Sequence, residues 1–304
     1  MNLNNNFKHY RIMIHYLTPY DKLLQPVDEL KNNVNTRRDK YVFRYVPLSS
    51  ILDADKQPDK LFMSRIEDWN DPYEKKALTS KFITLQGDAF YHPLAGSVYG
   101  TCFTEIYNCE AQWYYYGRKE PYVLLSIKLS VLLDALDKLE DQHFYIGRMS
   151  YCAQNDVQKN IALFVNQHID VFRKGKNAEF TTEEMVDLLT PLLIKRIPFM
   201  YEREIRILKV EPNSTEKHIN VSVGNFLDLV DQITISPFIP NACDVAQNDI
   251  LDGIREEYLD DLQNKMQKSI QDMVKQHFGQ SKRISRSWLL KKRKPSEIRL
   301  QNYL

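Results

Sequence analysis

Residues 201–208 read Tyr-Glu-Arg-Glu-Ile-Arg-Ile-Leu, a charged run that passes directly into apolar Ile207 and Leu208. Glu202, Arg203, Glu204 and Arg206 set two carboxylates and two guanidiniums within five residues. Read as a strand, the segment alternates faces, so Glu202 and Glu204 share one side and Arg203 takes the other. Paired carboxylates on a strand that enters a core have three readings. They form a solvated sheet face, they hold a neighbouring cation in a structural ion pair, or they belong to a site.

Outward from this stretch, β-forming segments recur. Tyr41–Val46, stopped by Pro47, and Leu61–Ser64, Ser97–Thr104, Tyr122–Lys128 and Ile233–Ser236 all predict strands. Helical spacing appears between them. Leu132, Leu133, Leu136 and Leu139 share one face, and a helix is predicted over 155–174, ending at Gly175. Thr181–Glu184 is a capping box that opens another helix, while Asp71 and Pro72 form a helix-start signal before Glu74. From Asn248 to Phe278, Ile250, Ile254, Tyr258, Leu262, Met266, Ile270 and Met273 step by three to four, which predicts a long amphipathic C-terminal helix closing at Gly279. Strands and helices interleave without a βαβ rhythm, so the expected class is α+β, a mixed or antiparallel central sheet with helices packed on it. Three regions are expected: an N-terminal extension over 1–38 with a short helix near Pro19–Val34, a single domain over 39–280, and a basic tail over 281–304.

Composition narrows the function classes. The chain has 304 residues, 43% apolar and 27% charged, with a net charge of +1, so no overall field draws it to nucleic acid or membrane. No apolar stretch is long enough to span a membrane, and the first residues lack the pattern of a signal peptide. Cys102, Cys109, Cys152 and Cys243 show no metal-ligand spacing and read as buried reduced thiols of a cytoplasmic protein. The seven histidines are dispersed, so no metal site is expected.

Several motifs in order resemble a bacterial group, domain-of-unknown-function family 2971. They are Phe43-Arg44-Tyr45, Leu61–Ser64, Asn70–Glu74, Cys102–Thr104, Trp113 followed by tyrosines, Tyr201–Arg206, Ile233–Pro237 and Ser285–Trp288. The chain departs from that pattern at Tyr114–Tyr116, where the family has a small residue and then His-Tyr, and at Ile205, where it has an aromatic. A second resemblance is to the ADP-ribosyltransferase superfamily, through Arg44, then Ser64 or Thr104, then the Glu-x-Glu of Glu202 and Glu204. That resemblance implies an NAD-using transferase or hydrolase, possible in a toxin-like or phage-defence effector that modifies a macromolecule. Cleaving the nicotinamide–ribose bond passes through an oxocarbenium-like state that a carboxylate stabilises. The expected roles are Glu204 on the ribose hydroxyls, Glu202 toward the acceptor, and Arg44 on phosphate or ribose oxygens. Ser64 or Thr104 would hold the first strand and ribose, and Tyr45 or Trp113 would stack on the nicotinamide ring.

Other readings stand beside this one. Arg44 serves equally as half of a structural ion pair, and Trp113–Tyr116 as core packing. Pro58-Asp59 followed by Glu74-Lys75-Lys76 formally fits a metal-dependent nuclease, although Glu74 falls at a helix start where that chemistry needs a strand. The tail holds eight basic residues between Lys282 and Arg299 against one acid, Glu297, with Trp288 and Tyr303 interleaved. Such a segment suits a nucleic-acid or protein partner, or else is a solvated terminus balancing acids such as Glu256–Asp261.

Overall fold

The computed structural model describes residues 14–16, 40–117, 120–139, 142–212, 214–238, 254–279, 281–287 and 289. The strands are β1 (Ile14–Tyr16), β2 (Tyr41–Pro47), β3 (Leu61–Arg65), β4 (Lys81–Ile83), β5 (Ala89–Tyr91), β6 (Val98–Thr104), β7 (Tyr122–Lys128), β8 (Phe144–Arg148), β9 (Ser150–Cys152), β10 (Ile194–Arg196), β11 (Glu204–Val210), β12 (His218–Val221), β13 (Val230–Ile235) and β14 (Arg283–Arg286). The helices are α1 (Ser49–Leu52), α2 (Lys76–Thr79), α3 (Glu110–Tyr116), α4 (Leu129–Asp137), α5 (Gln154–Gln167), α6 (Ile169–Phe172), α7 (Thr182–Leu189) and α8 (Ile254–Phe278).

Ten strands build one mixed, mostly antiparallel sheet in the order β1-β8-β11-β6-β2-β7-β13-β14, with β3 on β6 and β12 on β3. The class is α+β. Within this sheet β1 pairs parallel with β8 and β14 with β13, and β9 and β10 form a separate parallel pair. Strand β11 lies near the centre, antiparallel to both β6 and β8.

Strand β6 is where the sheet divides. At one end Thr104 pairs with Phe43 of β2, and at the other Gly100 and Tyr99 pair with Ser64 and Arg65 of β3. Between those contacts β6 has no partner on that side. Two branches, β2–β7 and β3–β12, therefore diverge from one strand and leave a wedge between them.

Alternation on β11 explains the layering. Ile205 and Ile207 face a core built with Val42, Leu125, Leu132 and Leu136 of β2, β7 and α4. Leu208 faces the other side, with Val157 and Ile161 of α5 and Leu188 and Leu189 of α7. Each such buried side chain contributes roughly 1.5–3 kcal/mol. Glu204 and Arg206 share the Leu208 face by the two-residue period, so charge interrupts that second layer. In α8, Gln267 and Val274 are buried and Ile270 packs on the first core.

Local expectations met mixed outcomes. The capping box forms, with Thr181 accepting from the Glu184 amide and returning the bond. The helix expected over 155–174 breaks at His168 into α5 and α6. Asp71 caps only a turn, its carboxylate accepting from the Tyr73 amide at 2.9 Å, and the helix begins at Lys76. Residues 14–16 and 283–286, assigned from sequence to the extension and the tail, are strands that pair parallel with β8 and β13. The helix expected near Pro19–Val34, residues 248–253, Cys243, Trp288 and residues 290–304 lie outside the described residues. No helix among the described residues is long and apolar enough to cross a membrane.

Candidate active site in the fork of the sheet

The 201–208 stretch does not run as one strand. A 3-10 turn over Ile197–Glu202, opened by Pro198, ends at Arg203, whose φ of 40° is left-handed. Strand β11 begins at Glu204. A non-glycine residue there costs of order 1–3 kcal/mol, which its surroundings must offset. Backbone bonds do so: the Glu105 amide donates to the Arg203 carbonyl, and the Thr104 hydroxyl and Gln112 amide both donate to the Glu202 carbonyl. The two glutamates thus share a side, as alternation suggested, but across a kink rather than along a strand.

Both carboxylates close on Lys195 of β10. Its Nζ donates to Glu202 Oε2 at 2.5 Å and to Glu204 Oε2 at 2.7 Å, and lies 3.1 Å from Glu74 Oε1. Arg206 completes the set, with Nε on Glu204 Oε1 at 2.8 Å, Nη2 on Glu74 Oε2 at 2.5 Å and Nη1 on the Leu192 carbonyl at 2.7 Å. Its guanidinium lies over the Trp69 ring at 4.5 Å, and the side chain is 0% exposed. Such a cluster survives burial only because its hydrogen bonds are filled.

The two glutamates differ in ionisation. Burial pushes the Glu204 carboxyl up, but Arg206 and Lys195 outweigh it and hold it at about 2. Burial also dominates at Glu202, and there Lys195 does not compensate, so its pKa is raised. Burial opposes the charge on Lys195 and on Arg206, yet Glu204 and Glu74 leave both raised. Glu204 is ionised at neutral pH, with both oxygens engaged. Glu202 is the carboxyl that exchanges its proton more readily, and its Oε1 has no partner among the described residues.

A cavity of 230 Å³ opens at the fork, and Arg44, Tyr45, Ser64, Thr104, Glu202 and Glu204 all line it. Four separate segments bring them there. The expected mutual pairing is absent, because Glu202 and Glu204 are held by Lys195 and Arg206, not by Arg44. Arg44 makes one hydrogen bond, Nη2 to the Phe62 carbonyl at 3.2 Å, and lies 5.6 Å from the Phe103 ring. Burial lowers its pKa to about 10, so it stays charged at neutral pH.

The remaining candidates divide. The Ser64 hydroxyl accepts from Trp69 Nε1 at 2.8 Å and keeps its own proton available. The Thr104 hydroxyl is spent on the Glu202 carbonyl, which makes it a positioning group. Tyr45 lines the cavity, its hydroxyl accepting from the Cys109 amide at 2.9 Å. Trp113 does not line it. Its ring is wholly buried, edge-on to Tyr45 at 4.6 Å, with Nε1 donating to Asn108 Oδ1 at 2.7 Å, so it supports Tyr45 from behind rather than offering a stacking face.

Thr101 and Gln112 line the cavity, and among the described residues their buried Thr101 Oγ1 and Gln112 Oε1 have no hydrogen-bond partner. Burying such a group unsatisfied costs about 1–3 kcal/mol. The cavity also exposes Cys102, whose thiol burial and Glu204 push well up, which removes it as a nucleophile. Cys102, Cys109 and Cys152 are half-buried, where buried thiols were expected. The nuclease pattern is not assembled: Glu74 is held by Lys195 and Arg206, while Asp59 is exposed.

Sequence reasoning passed over Lys195, Arg206, Trp69 and, in its actual role, Glu74. A signal was present for two of them. Lys195 follows Leu192-Leu193-Ile194, and Arg206 sits between Ile205 and Ile207. A cation inside an apolar run requires a buried partner.

The chain matches no protein-family model, no curated protein and no solved structure.

Proposed function

We propose that the fork cavity binds NAD and that the protein is ADP-ribosyltransferase-like, breaking the nicotinamide–ribose bond and passing ADP-ribose to a macromolecule or to water. The observation that carries this reading is the convergence of Arg44, Tyr45, Ser64, Thr104, Glu202 and Glu204, from four segments, on one cavity. The motif order that resembles ADP-ribosyltransferases supports it.

The chemistry divides as the ionisation does. Glu204, fixed as an anion beneath the cavity, stabilises positive charge that develops on the ribose as the C1′–N bond breaks and its electron pair leaves with nicotinamide. Glu202 has an oxygen free to meet a ribose or acceptor hydroxyl. Its raised pKa makes it the stronger base of the two, so it takes the acceptor's proton as the new bond to C1′ forms. At 230 Å³ the cavity is below the roughly 300–1,000 Å³ of sites that enclose a whole ligand. It suits the nicotinamide-ribose end, with the phosphates leaving past Arg44.

The test is nicotinamide release from NAD by the purified protein. Glu202→Gln is expected to lower the rate by about 10²–10⁴, the range for a lost general base, in a variant shown to be folded by circular dichroism. A folded wild-type protein that neither binds nor consumes NAD would sink the reading.

A further inference from the structure

A second cavity, of 560 Å³, lies in the same wedge, between the β2–β7 and β3–β12 branches. Arg44, Tyr45 and Phe62 line both cavities, so Arg44 stands in the wall between them. Around the second cavity are the cations Arg44, Lys56 and Lys60 against one acid, Asp55. Lys56 donates to the Ser49 hydroxyl at 2.7 Å. Among the described residues, Lys60 and the Asn220 amide have no side-chain partner, and Arg44 has spare donors beyond its one bond to the Phe62 carbonyl. Free cationic donors converging in a concave site call for an anion.

The same cavity presents a flat apolar face. Phe62 is 44% exposed although it belongs to a strand, and its ring stacks on His218 at 5.2 Å with 28° between planes. A water-facing aromatic pair beside unpaired cations is suited to a ligand that carries a planar ring and a phosphate together.

We infer that this second cavity binds a nucleoside 5′-phosphate unit, with Arg44 and Lys60 on the phosphate and the Phe62–His218 face against the base. Such a unit occurs in a dinucleotide and at the 5′ end of a nucleic-acid strand. If it comes from a dinucleotide, the inference rests on the NAD reading above, since Arg44 would then hold one ligand across both cavities.

Calorimetric titration of the full chain with AMP, adenosine, inorganic phosphate, ADP-ribose and a short 5′-phosphorylated oligoadenylate tests it. AMP is expected to bind at least about tenfold more tightly than adenosine or phosphate alone. Lys60→Ala is expected to weaken AMP roughly tenfold by loss of a charged hydrogen bond, and Phe62→Ala at least about fivefold by loss of stacking. Both side chains reach solvent, so both variants fold. Tighter binding of ADP-ribose than of the oligoadenylate identifies the dinucleotide source, and the reverse order identifies a strand end. No saturable AMP binding, phosphate binding as well as AMP, or AMP affinity unchanged in both variants would each overturn the inference. The two proposals fail separately. AMP binding by a wild-type protein that shows no NAD turnover leaves this site standing and removes the transferase. NAD turnover with AMP binding indifferent to Lys60 and Phe62 does the opposite.

Discussion

The wedge contains two collections of charge that follow opposite rules. Beneath the fork, Glu74, Glu202, Glu204, Lys195 and Arg206 largely satisfy one another, and none of their side chains is more than 10% exposed. In the neighbouring cavity, Arg44 and Lys60 face open space with few protein partners. The first set is architecture that has acquired a reactive edge at Glu202. The second contributes little to holding the fold and is available to a ligand. Removing one member of the first set should therefore cost stability, and removing one of the second should cost binding.

The largest expected effect is at Lys195. Lys195→Met leaves Glu202, Glu204 and Glu74 facing Arg206 alone, and breaking a buried pair from one side costs about 3–5 kcal/mol. Urea denaturation measures it, and a loss below about 1 kcal/mol would dissolve the distinction between the two regions.

Acid comes next. Glu204 is held at about 2 against an ordinary value of 4.5, so the folded chain binds its proton less readily than the unfolded chain. Stability from this group is fully present above about pH 4.5 and is lost as pH falls toward about 2, a change of order 3 kcal/mol. Glu202, with its raised pKa, works in the opposite direction and returns part of the loss on protonation. Unfolding free energies of wild type and Glu204→Gln across this window are expected to diverge in slope. Parallel curves would mean that Glu204 is not the clamped anion.

Gly100→Ala tests the wall of the fork cavity itself. A Cβ there would lie 2.9 Å from Trp69 Cζ2 and 3.3 Å from Leu208 Cδ2. Overpacking of this kind costs about 1–3 kcal/mol. Displacing Trp69 disturbs its bond to Ser64 and its contact with Arg206, so a changed near-ultraviolet dichroism signal should accompany the loss. Lys60→Ala is expected to give the smallest stability effect, within about 0.5 kcal/mol, while carrying a clear binding phenotype. A larger loss would show that the second cavity is also structural.

The strands that carry Arg44, Ser64 and Thr104 were legible because each is a run of β-formers between breakers, and Glu202 with Glu204 stood out as paired acids. The kink at Arg203 was not legible, since only packing around it, including the Thr104 and Gln112 bonds to Glu202, makes a left-handed arginine tolerable. The partners of the glutamates were hidden for a similar reason. Lys195 stands beside Arg196 and Arg206 belongs to the charged run from Glu202, so neither names its partner in sequence, and only the fold, which brings Lys195 of β10 to the Glu204 carboxylate of β11, shows what neutralises them. Trp113 illustrates the reverse error: an aromatic run announces rings, but not which ring meets the cavity and which supports it from behind.

The parallel edges at β1 and β14 bear on how this protein should be handled. Both flanks of a ten-stranded sheet are finished by residues outside the span 39–280 that the sequence suggests as the domain. A chain trimmed to that span would leave β8 and β13 with rows of unmet amides and carbonyls, a template for strand exchange between molecules. Shortening it in search of a minimal catalytic unit should therefore yield oligomers on size-exclusion chromatography, and their inactivity would say nothing about the fork.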